Sequence, residues 1–403
     1  MPRRTPKRLI LLNQSSGSLF LDLAIGLSSN YLDGAILVSG GRLGLTGENL
    51  EKKSLKSSWA PLYDRRSRLH RVFSWLAYSF YVTPYVLFAR RGDVLLLVSN
   101  PPILAPWVWL LTRFRKVPYA VLIYDIYPDV LMKTGALKSE GLLARFWITV
   151  NRLAYGNAQA VITIGSRMAK VIEEQIGCKG GSHVFVTPLW ADVETLRPLS
   201  KDENPIASDY VQPGKTIVLY SGNMGASHDV SSILEAARLL RNDSDLFFLL
   251  IGGGERFKYA QEFAENNNLQ NLKVLPWQSV DKVRFTLPLG DIALVALDEG
   301  MEDLMVPSKS FSYMAAGCGL VAIANEPSEL SDLLSRGSFG ICVAPRNPQA
   351  LAEAIRGLAN DKEKLSGMRL EARRVAERFY STEVGIRSFK DVLAEVGLLS
   401  LKS

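Results

Sequence analysis

The residues from Val306 to Gly317 could hold a diphosphate at the start of a helix. They read Val-Pro-Ser-Lys-Ser-Phe-Ser-Tyr-Met-Ala-Ala-Gly and follow an apolar, strand-like run at 292–297. Ser308 is a favourable N-cap residue, and the free N–H groups of a helix start attract anions. Lys309 would add a positive charge. An ordinary capped helix is the alternative interpretation of the same residues.

Glycines follow two other strand-like runs in the same half of the chain. These residues are Gly222, Gly225, Gly252, Gly253 and Gly254. Glycine lets the backbone approach a ligand closely, and loops that follow parallel strands open on one rim of a sheet. Each loop alone could be a simple turn, but their recurrence predicts one phosphate-binding rim. Neither a nicotinamide fingerprint nor a P-loop is present.

Few other residues indicate polar chemistry. His228 stands at an expected helix start, where it could lie on the surface or contact a bound sugar phosphate. In the first half, Asp125 and Asp129 follow a strand-like run and are the best candidate acids, although Asp129 could instead cap the next helix. The sequence offers no serine–histidine–aspartate constellation.

Strand-like and helix-like segments alternate in both halves of the chain, which predicts two α/β domains with parallel, doubly wound sheets. The polar, proline-containing residues 196–214 have the composition of a linker. We therefore expect an N-terminal domain at 1–195, a C-terminal domain at 215–378 and a final amphipathic helix within 379–403.

Charge is distributed unevenly along the chain. Residues 1–195 carry 24 Lys and Arg against 13 Asp and Glu, a balance of +11, whereas residues 196–403 carry 23 against 27, a balance of −4. A basic half favours an anionic membrane surface, a nucleic acid or a phosphorylated substrate as its partner.

The three cysteines are scattered without a C-x-x-C pair, which favours a reducing compartment and argues against a zinc site.

The segment from Val72 to Ala89 has 18 residues without a charge and is flanked by arginines. A membrane span, a buried core helix and a helix lying in the membrane interface are all consistent with that length. Its proline, three tyrosines and basic flanks favour the interfacial helix. A second apolar stretch at 103–111, with basic residues after it, supports the same interpretation.

Four segments resemble the bacterial GT-B glycosyltransferases of family 4, in the Pro-Ser-Lys branch that makes capsule, O-antigen and exopolysaccharide. They are Ser99-Asn-Pro-Pro102 with Tyr124-Asp-Ile-Tyr-Pro128, Trp190-Ala-Asp192, Tyr220-Ser-Gly-Asn-Met-Gly225 through Asp229, and Glu302 through Val306-Pro-Ser-Lys309 to Gly317. The resemblance implies two Rossmann-like domains that face a cleft, with the C-terminal helix packing back toward the first domain. It also implies a retaining transferase that needs neither a metal nor another cofactor.

The same resemblance implies roles for residues and partners. A UDP- or GDP-linked sugar would bind the C-terminal domain at the glycines already named and at Asn223, His228, Trp277, Gln278, Ser308 and Lys309. The acceptor, a polyprenyl-diphosphate saccharide or another glycan, would lie by Ser16, Gly17 and Tyr127 on the N-terminal domain, with Asp125 and Glu302 as catalytic candidates. We expect a cytoplasmic enzyme, peripheral on the inner membrane, that binds no nucleic acid.

The sequence departs from the family at the donor site. The wider family has two glutamates eight positions apart, where this chain has Leu304 and Ser312, so the ribose-binding glutamate is missing. Glu302 is then the candidate for the donor-sugar acid. The diphosphate-binding arginine and lysine near the first glycine loop are also missing, since Asn223 and His228 stand there. A catalytically weak subunit that binds a nucleotide or scaffolds a partner is therefore the alternative function.

Overall fold

A computed structural model describes residues 6–41, 54–64, 66–177 and 183–400, and Cys178 lies outside these ranges. The chain divides into two compact units. One comprises residues 1–188 together with 385–403, and the other comprises residues 189–384. Each unit is built on a parallel sheet covered by helices, as the alternating sequence pattern predicted.

The N-terminal unit has a seven-stranded sheet. Its strands are β1 (Arg8–Asn13), β2 (Ala35–Gly40), β3 (Leu55–Ala60), β4 (Asp93–Val98), β5 (Tyr119–Ile123), β6 (Ala160–Thr163) and β7 (Val184–Val186). They lie in the order β3-β2-β1-β4-β5-β6-β7 and are all parallel. The central strands β4 and β5 are buried along their whole length and are apolar apart from Asp93, as expected for strands covered on both faces.

Helices connect these strands. They are α1 (Ser18–Ser28), α2 (Arg68–Leu87), α3 (Leu104–Arg115), α4 (Asp129–Lys133), α5 (Leu142–Gly156) and α6 (Ser166–Ile176). Helices α2, α3, α5 and α6 pack side by side in that order. The end of the chain returns to this unit, where the Tyr31 hydroxyl donates a hydrogen bond to the Leu398 carbonyl at 2.8 Å. Among the described residues, no helix is long and apolar enough to span a membrane.

The C-terminal unit has a six-stranded sheet. Its strands are β8 (Thr216–Asn223), β9 (Leu246–Gly253), β10 (Leu272–Pro276), β11 (Ile292–Ala296), β12 (Gly319–Ile323) and β13 (Gly340–Val343). They are parallel, in the order β10-β9-β8-β11-β12-β13. Side chains from β8, β9, β11 and β12 form the centre of its core, including Phe248, Leu294 and Ile323.

Helices precede, connect and follow these strands along the chain. They are α7 (Ala207–Tyr210), α8 (Val230–Leu239), α9 (Phe257–Asn266), α10 (Val280–Thr286), α11 (Lys309–Ala315), α12 (Glu329–Leu334), α13 (Pro348–Asn360), α14 (Lys362–Phe379) and α15 (Thr382–Glu395). The residues expected to be a linker contain α7 and are tied to the sheet, because the Lys201 amino group bonds Asp291 at the start of β11 at 2.5 Å. Helix α15 crosses the boundary between the two units at residue 384.

Candidate functional site

The order of strands in the C-terminal sheet reverses between β8 and β11. The chain runs outward from β8 through β9 to β10, and then returns to β11 on the other side of β8. The loops that follow two such strands turn away from each other, which leaves a crevice at the carboxyl edge of the sheet. Here those loops are residues 224–229 and 297–308. Gly222 and Asn223 form the end of β8, and Lys309 begins the helix that leads away from the second loop.

The amino group of Lys309 is buried in this crevice without a hydrogen-bond partner among the described residues. It lies over the ring of Tyr220, 4.0 Å from the ring centroid. Burial lowers the pKa of Lys309 to about 7, because the charged form loses its hydration. An aromatic face attracts a cation but accepts no conventional hydrogen bond from it. The N–H donors of Lys309 therefore have no acceptor among the described residues.

Two tyrosine hydroxyls beside Lys309 are already engaged with the backbone. The Tyr220 hydroxyl donates to the carbonyl of Asn223 at 2.7 Å. The Tyr313 hydroxyl donates to the carbonyl of Ser221 at 2.9 Å and accepts from the Ser221 N–H at 2.6 Å. These bonds fix the end of β8 against α11, and neither of them involves the lysine.

Glycines bring the ends of β8 and β9 into close contact. A Cβ added at Gly252 would overlap the carbonyl oxygen of Gly222. A Cβ at Gly254 would lie 2.5 Å from the side-chain oxygen of Asn223, and Gly254 has a φ of +121°. Both positions therefore require glycine, since a side chain would displace the backbone of the neighbouring strand.

His228 is a buried and uncharged neighbour of the lysine. Burial lowers the pKa of His228 to about 3, with smaller contributions from the charges of Lys309 and Arg256. Its Nδ1 lies 3.3 Å from the hydroxyl of Ser227. A neutral imidazole can still exchange a hydrogen bond with a ligand. Sequence reasoning left a surface position open for His228, and the structure instead buries it among the donor-site candidates.

A carboxylate that sequence analysis did not single out connects four loops at this edge. Asp298 lies 3.1 Å from the Arg346 guanidinium and 3.5 Å from the Arg256 guanidinium. The backbone N–H of Asp298 donates to Ser227 at 2.8 Å, and the N–H of Arg346 donates to the Asp229 carboxylate at 2.7 Å. Arg256 directly follows the run of three glycines and Glu255, and that adjacency was the one local signal that could have found it.

Glu302 and Ser308 lie in the loop between β11 and α11. Glu302 is buried, and its carboxylate accepts a hydrogen bond from the Asn325 side chain at 2.8 Å. Ser308 occupies the N-cap position of α11, but its side chain makes no capping hydrogen bond, so the expected cap is absent. Helix α11 itself has only seven residues. The anion-binding potential of this stretch therefore depends on Lys309 more than on the helix start.

Trp277 and Gln278 follow the neighbouring strand β10. The Trp277 side chain is 58% exposed, and its indole nitrogen lies 2.5 Å from where a Cβ of Gly253 would be. The Gln278 side chain accepts from the Tyr210 hydroxyl at 2.6 Å and donates to the Pro276 carbonyl at 2.8 Å. The ring of Trp277 is therefore largely exposed, whereas the side-chain polar atoms of Gln278 are hydrogen-bonded within the protein.

The N-terminal unit has its own switch point between β1 and β4, and the acceptor-side candidates lie at that edge. The Ser16 hydroxyl donates to the Asn13 carbonyl at 3.2 Å and accepts from the Ser39 hydroxyl at 3.0 Å. Gly17 immediately precedes α1, and a Cβ added there would meet no atom within 4 Å. The surface beside Gly17 is therefore open.

Asp125 and Tyr127 follow β5 in the same unit. Burial raises the pKa of Asp125 to about 6, with no neighbouring charge among the causes. The carbonyl of Tyr127 accepts from the Asn151 side chain at 2.7 Å. Asp125 could accept or donate a proton near neutral pH, which is unusual for an aspartate. Within the described ranges, no three His, Cys, Asp or Glu side chains converge as a metal site requires.

The amino-acid sequence also matches known proteins. Residues 203–375 match the family model described as "Glycosyl transferases group 1". WbjE, a probable glycosyltransferase of Pseudomonas aeruginosa, is 28% identical over 302 residues, or 75% of this chain and 74% of that protein. WcaI, a putative colanic acid biosynthesis glycosyl transferase of Escherichia coli (strain K12), is 29% identical over 291 residues, or 71% and 70% of the two chains.

Solved structures share the fold at low sequence identity. HepE (Alr3699) of Anabaena, crystallised with UDP, aligns with 96% of this chain and 100% of its own, with a TM-score of 0.73 and 14% identity. WaaG, a glycosyltransferase involved in lipopolysaccharide biosynthesis, aligns with 96% of this chain and 99% of its own, with a TM-score of 0.67 and 11% identity.

These findings establish the fold and the general activity. The protein is a glycosyltransferase with the GT-B fold, and the matched group 1 domain covers most of the C-terminal unit. The expected α/β fold with two Rossmann-like domains is thereby confirmed.

Proposed function

We propose that the protein transfers a glycosyl group from a nucleoside diphosphate sugar to a lipid-linked saccharide during synthesis of a cell-surface polysaccharide. The colanic acid enzyme among its relatives supports the pathway, and the UDP and UDP-glucose bound to HepE support the donor class. We place the chain in family 4 and its Pro-Ser-Lys branch, and we infer a UDP- or GDP-linked donor, retention of configuration and no need for a metal ion.

The unpartnered amino group of Lys309 is the observation that carries this proposal. A buried amino group without a hydrogen bond costs stability, so its presence calls for a ligand that the free protein lacks. A diphosphate offers oxygen acceptors and negative charge. The diphosphate also gains charge as the glycosidic bond breaks, so a cation at this position would stabilise the transition state more than the ground state.

Calorimetry with UDP and GDP tests the donor site. We expect the wild-type protein to bind one of them, and Lys309→Met to weaken that binding by about 100-fold, because the variant fills the same space without a charge. Lys258→Met is the matched control, since Lys258 lies on the exposed side of α9 in the same unit. Unchanged binding by Lys309→Met would contradict the proposal and favour a non-catalytic subunit.

The remaining sequence-based assignments become roles in this reaction. We propose that residues 215–378 bind the donor, with Trp277 against the nucleobase and Glu302 near the donor sugar. Residues 1–195 would bind the acceptor at the edge that carries Ser16, Gly17 and Tyr127. Asp125, with a pKa near 6, would be the group that exchanges a proton with the acceptor hydroxyl.

An exposed apolar surface on the N-terminal unit supports contact with a membrane. Phe73 on α2 is 69% exposed, and Leu142 and Phe146 on α5 are 85% and 65% exposed. Helices α2, α3 and α5 are neighbours, and α3 ends in exposed basic residues, Arg113 and Arg115. Apolar side chains beside cations fit an anionic lipid interface. We propose that this surface holds the enzyme on the cytoplasmic face of the inner membrane.

Flotation with vesicles of phosphatidylglycerol and phosphatidylethanolamine tests this surface. We expect the wild-type protein to float with the vesicles and the double variant Phe73→Ser, Phe146→Ser to remain below them. Leu32→Ser is the matched control, because Leu32 is equally exposed (68%) and lies outside these helices. Equal flotation of the wild-type protein and the double variant would place membrane contact elsewhere, and a wild-type protein that stays below the vesicles would overturn the membrane proposal.

A further inference from the structure

The charge at the donor crevice includes a second cation that is only loosely held. Asp298 carries one negative charge but has two guanidinium groups beside it. Arg346 contacts one of its oxygens with two nitrogens, Nη2 at 3.1 Å and Nε at 3.3 Å. Arg256 reaches the other oxygen with a single nitrogen at 3.5 Å, the limit of a hydrogen bond. Arg346 also pairs with Glu299 at 3.0 Å, whereas the long contact with Asp298 is the one carboxylate contact of Arg256 among the described residues.

Hydrogen bonds to the backbone hold Arg256 against the loop that follows β8. Its N–H donates to the Met224 carbonyl at 2.9 Å, and its guanidinium donates to the His228 carbonyl at 3.1 Å. Both acceptors belong to the loop after β8. The charge of Arg256 also acts on His228 and on Tyr220, and the ring of Tyr220 lies under the buried amino group of Lys309. Arg256 and Lys309 therefore act on the same small volume.

The second cation matches the ligand that the proposed function requires. A diphosphate esterified at both ends carries two negative charges, one on each phosphate, and Lys309 can neutralise only one. His228 cannot supply the other charge because burial keeps it neutral near pH 7. The positions after β8 where the resembled family has cationic residues hold Asn223 and His228 instead. Arg256 comes from the next loop, after β9, and supplies a guanidinium, which suits phosphate oxygens.

We infer that Arg256 binds the diphosphate of the donor together with Lys309, and that it exchanges its weak contact with Asp298 for the phosphate oxygens when the donor binds. This inference rests on the proposed donor site. Asp298 does not lose its partner in the exchange, because Arg346 remains bound to it. In the free enzyme, Asp298 thus holds Arg256 by a weak contact. In the complex, the positive charge of Arg256 faces the diphosphate instead of Asp298.

Two substitutions with opposite expected effects test the inference by calorimetry with UDP, or with GDP if that is the nucleotide bound. Arg256→Gln keeps a side-chain N–H for the His228 carbonyl but removes the charge, and we expect about 10- to 100-fold weaker binding of the diphosphate. The corresponding monophosphate should lose less. Asp298→Asn releases Arg256, so diphosphate affinity should stay equal to that of the wild type or rise. Arg374→Gln, at an exposed position on α14, is the matched control and should bind as the wild type does.

The outcomes separate this inference from the proposed function. If Arg256→Gln and Asp298→Asn weaken diphosphate binding equally, Arg256 only braces the loops and the inference is wrong. If Arg256→Gln binds as tightly as the wild type, the inference also fails, while the donor site itself stands. If the wild-type protein binds neither UDP nor GDP, both the proposed function and this inference are overturned.

Discussion

The first six strands of the N-terminal sheet have the same order as the six strands of the C-terminal sheet, but the carboxyl edges of the two sheets carry different candidate groups. At the edge of the C-terminal sheet, the Lys309 amino group has no hydrogen-bond partner among the described residues, and Arg256 reaches a carboxylate only at 3.5 Å. At the edge of the N-terminal sheet, the candidate group is an acid, Asp125, whose pKa burial raises to about 6. The glycines at the first edge are packed against the neighbouring strand, whereas Gly17 at the second faces open space. The loops of one fold thus present cations at one edge and an acid at the other.

This local charge is the reverse of the bulk charge. The half with a balance of +11 carries the acidic site edge, and the half with a balance of −4 carries the cationic one. The excess of basic residues in the first half includes Arg113, Arg115 and Lys116 at the end of α3, away from the site edge. The net charge of each half therefore does not predict the charge at its site edge. Net charge reflects mainly the exposed surface, whereas a few groups at the edge decide the local charge.

The largest effect is expected from adding one methyl group at each edge. Gly252→Ala places a Cβ on the carbonyl oxygen of Gly222, so the two strand ends must separate. We expect a loss of about 2–4 kcal/mol in the free energy of unfolding, together with loss of nucleotide binding. Gly17→Ala meets no atom within 4 Å and should change stability by less than about 0.5 kcal/mol. Chemical denaturation measures both variants.

If Gly252→Ala and Gly17→Ala change the free energy of unfolding equally, the two sheet edges do not differ in how tightly their glycines are packed. Nucleotide binding by Gly252→Ala at wild-type affinity would show that the close contact between β8 and β9 does not shape the donor site. Gly17→Ala has a separate readout, because its effect should appear in transfer to the acceptor and not in UDP affinity.

The sequence predicted the strands that build the site edges, because each is a continuous apolar run followed by glycine or polar residues. It missed β3, because Leu55–Ala60 has three polar residues in its middle, Lys56, Ser57 and Ser58, and lacks a continuous apolar run. It also missed Asp298 and Arg256. Their relation depends on loops that are 42 residues apart in sequence, and no local pattern records such a pairing. The burial of Lys309 was likewise invisible, since lysine at a helix start usually reaches solvent.

The two shifted groups should give opposite changes of stability with pH. The folded protein loses the Lys309 proton near pH 7 and the unfolded chain near 10.5, so the cost of burying this charge is greatest below pH 7 and fades toward pH 10.5. Lys309→Met should therefore raise stability by about 1–3 kcal/mol at pH 6 and by less at pH 9. Thermal unfolding of the variant and the wild type across this range measures the difference.

Asp125 should behave in the reverse sense. The unfolded chain loses this proton near pH 3.8 and the folded protein near 6, so the cost of burial grows as pH rises between these values and stays constant above them. Asp125→Asn should then stabilise the protein above pH 6 by about 1–2 kcal/mol and have little effect at pH 4. Parallel pH profiles for Asp125→Asn and Lys309→Met would mean that the two edges do not differ in the sign of their buried charge.

The smallest effect is a dependence of nucleotide affinity on pH. A diphosphate favours the charged form of Lys309, so above pH 7 the protein must take up a proton when the nucleotide binds. Affinity should fall by at most about tenfold per pH unit between pH 7.5 and 9, a range in which the phosphate groups of UDP no longer titrate. Calorimetry in buffers of different ionisation enthalpy measures the proton uptake directly.

Lys309→Arg keeps its charge throughout this range and should bind independently of pH. A wild-type affinity that is constant from pH 7.5 to 9 would mean that Lys309 is already protonated in the free enzyme, and its burial beside Tyr220 would then cost less than the structure implies.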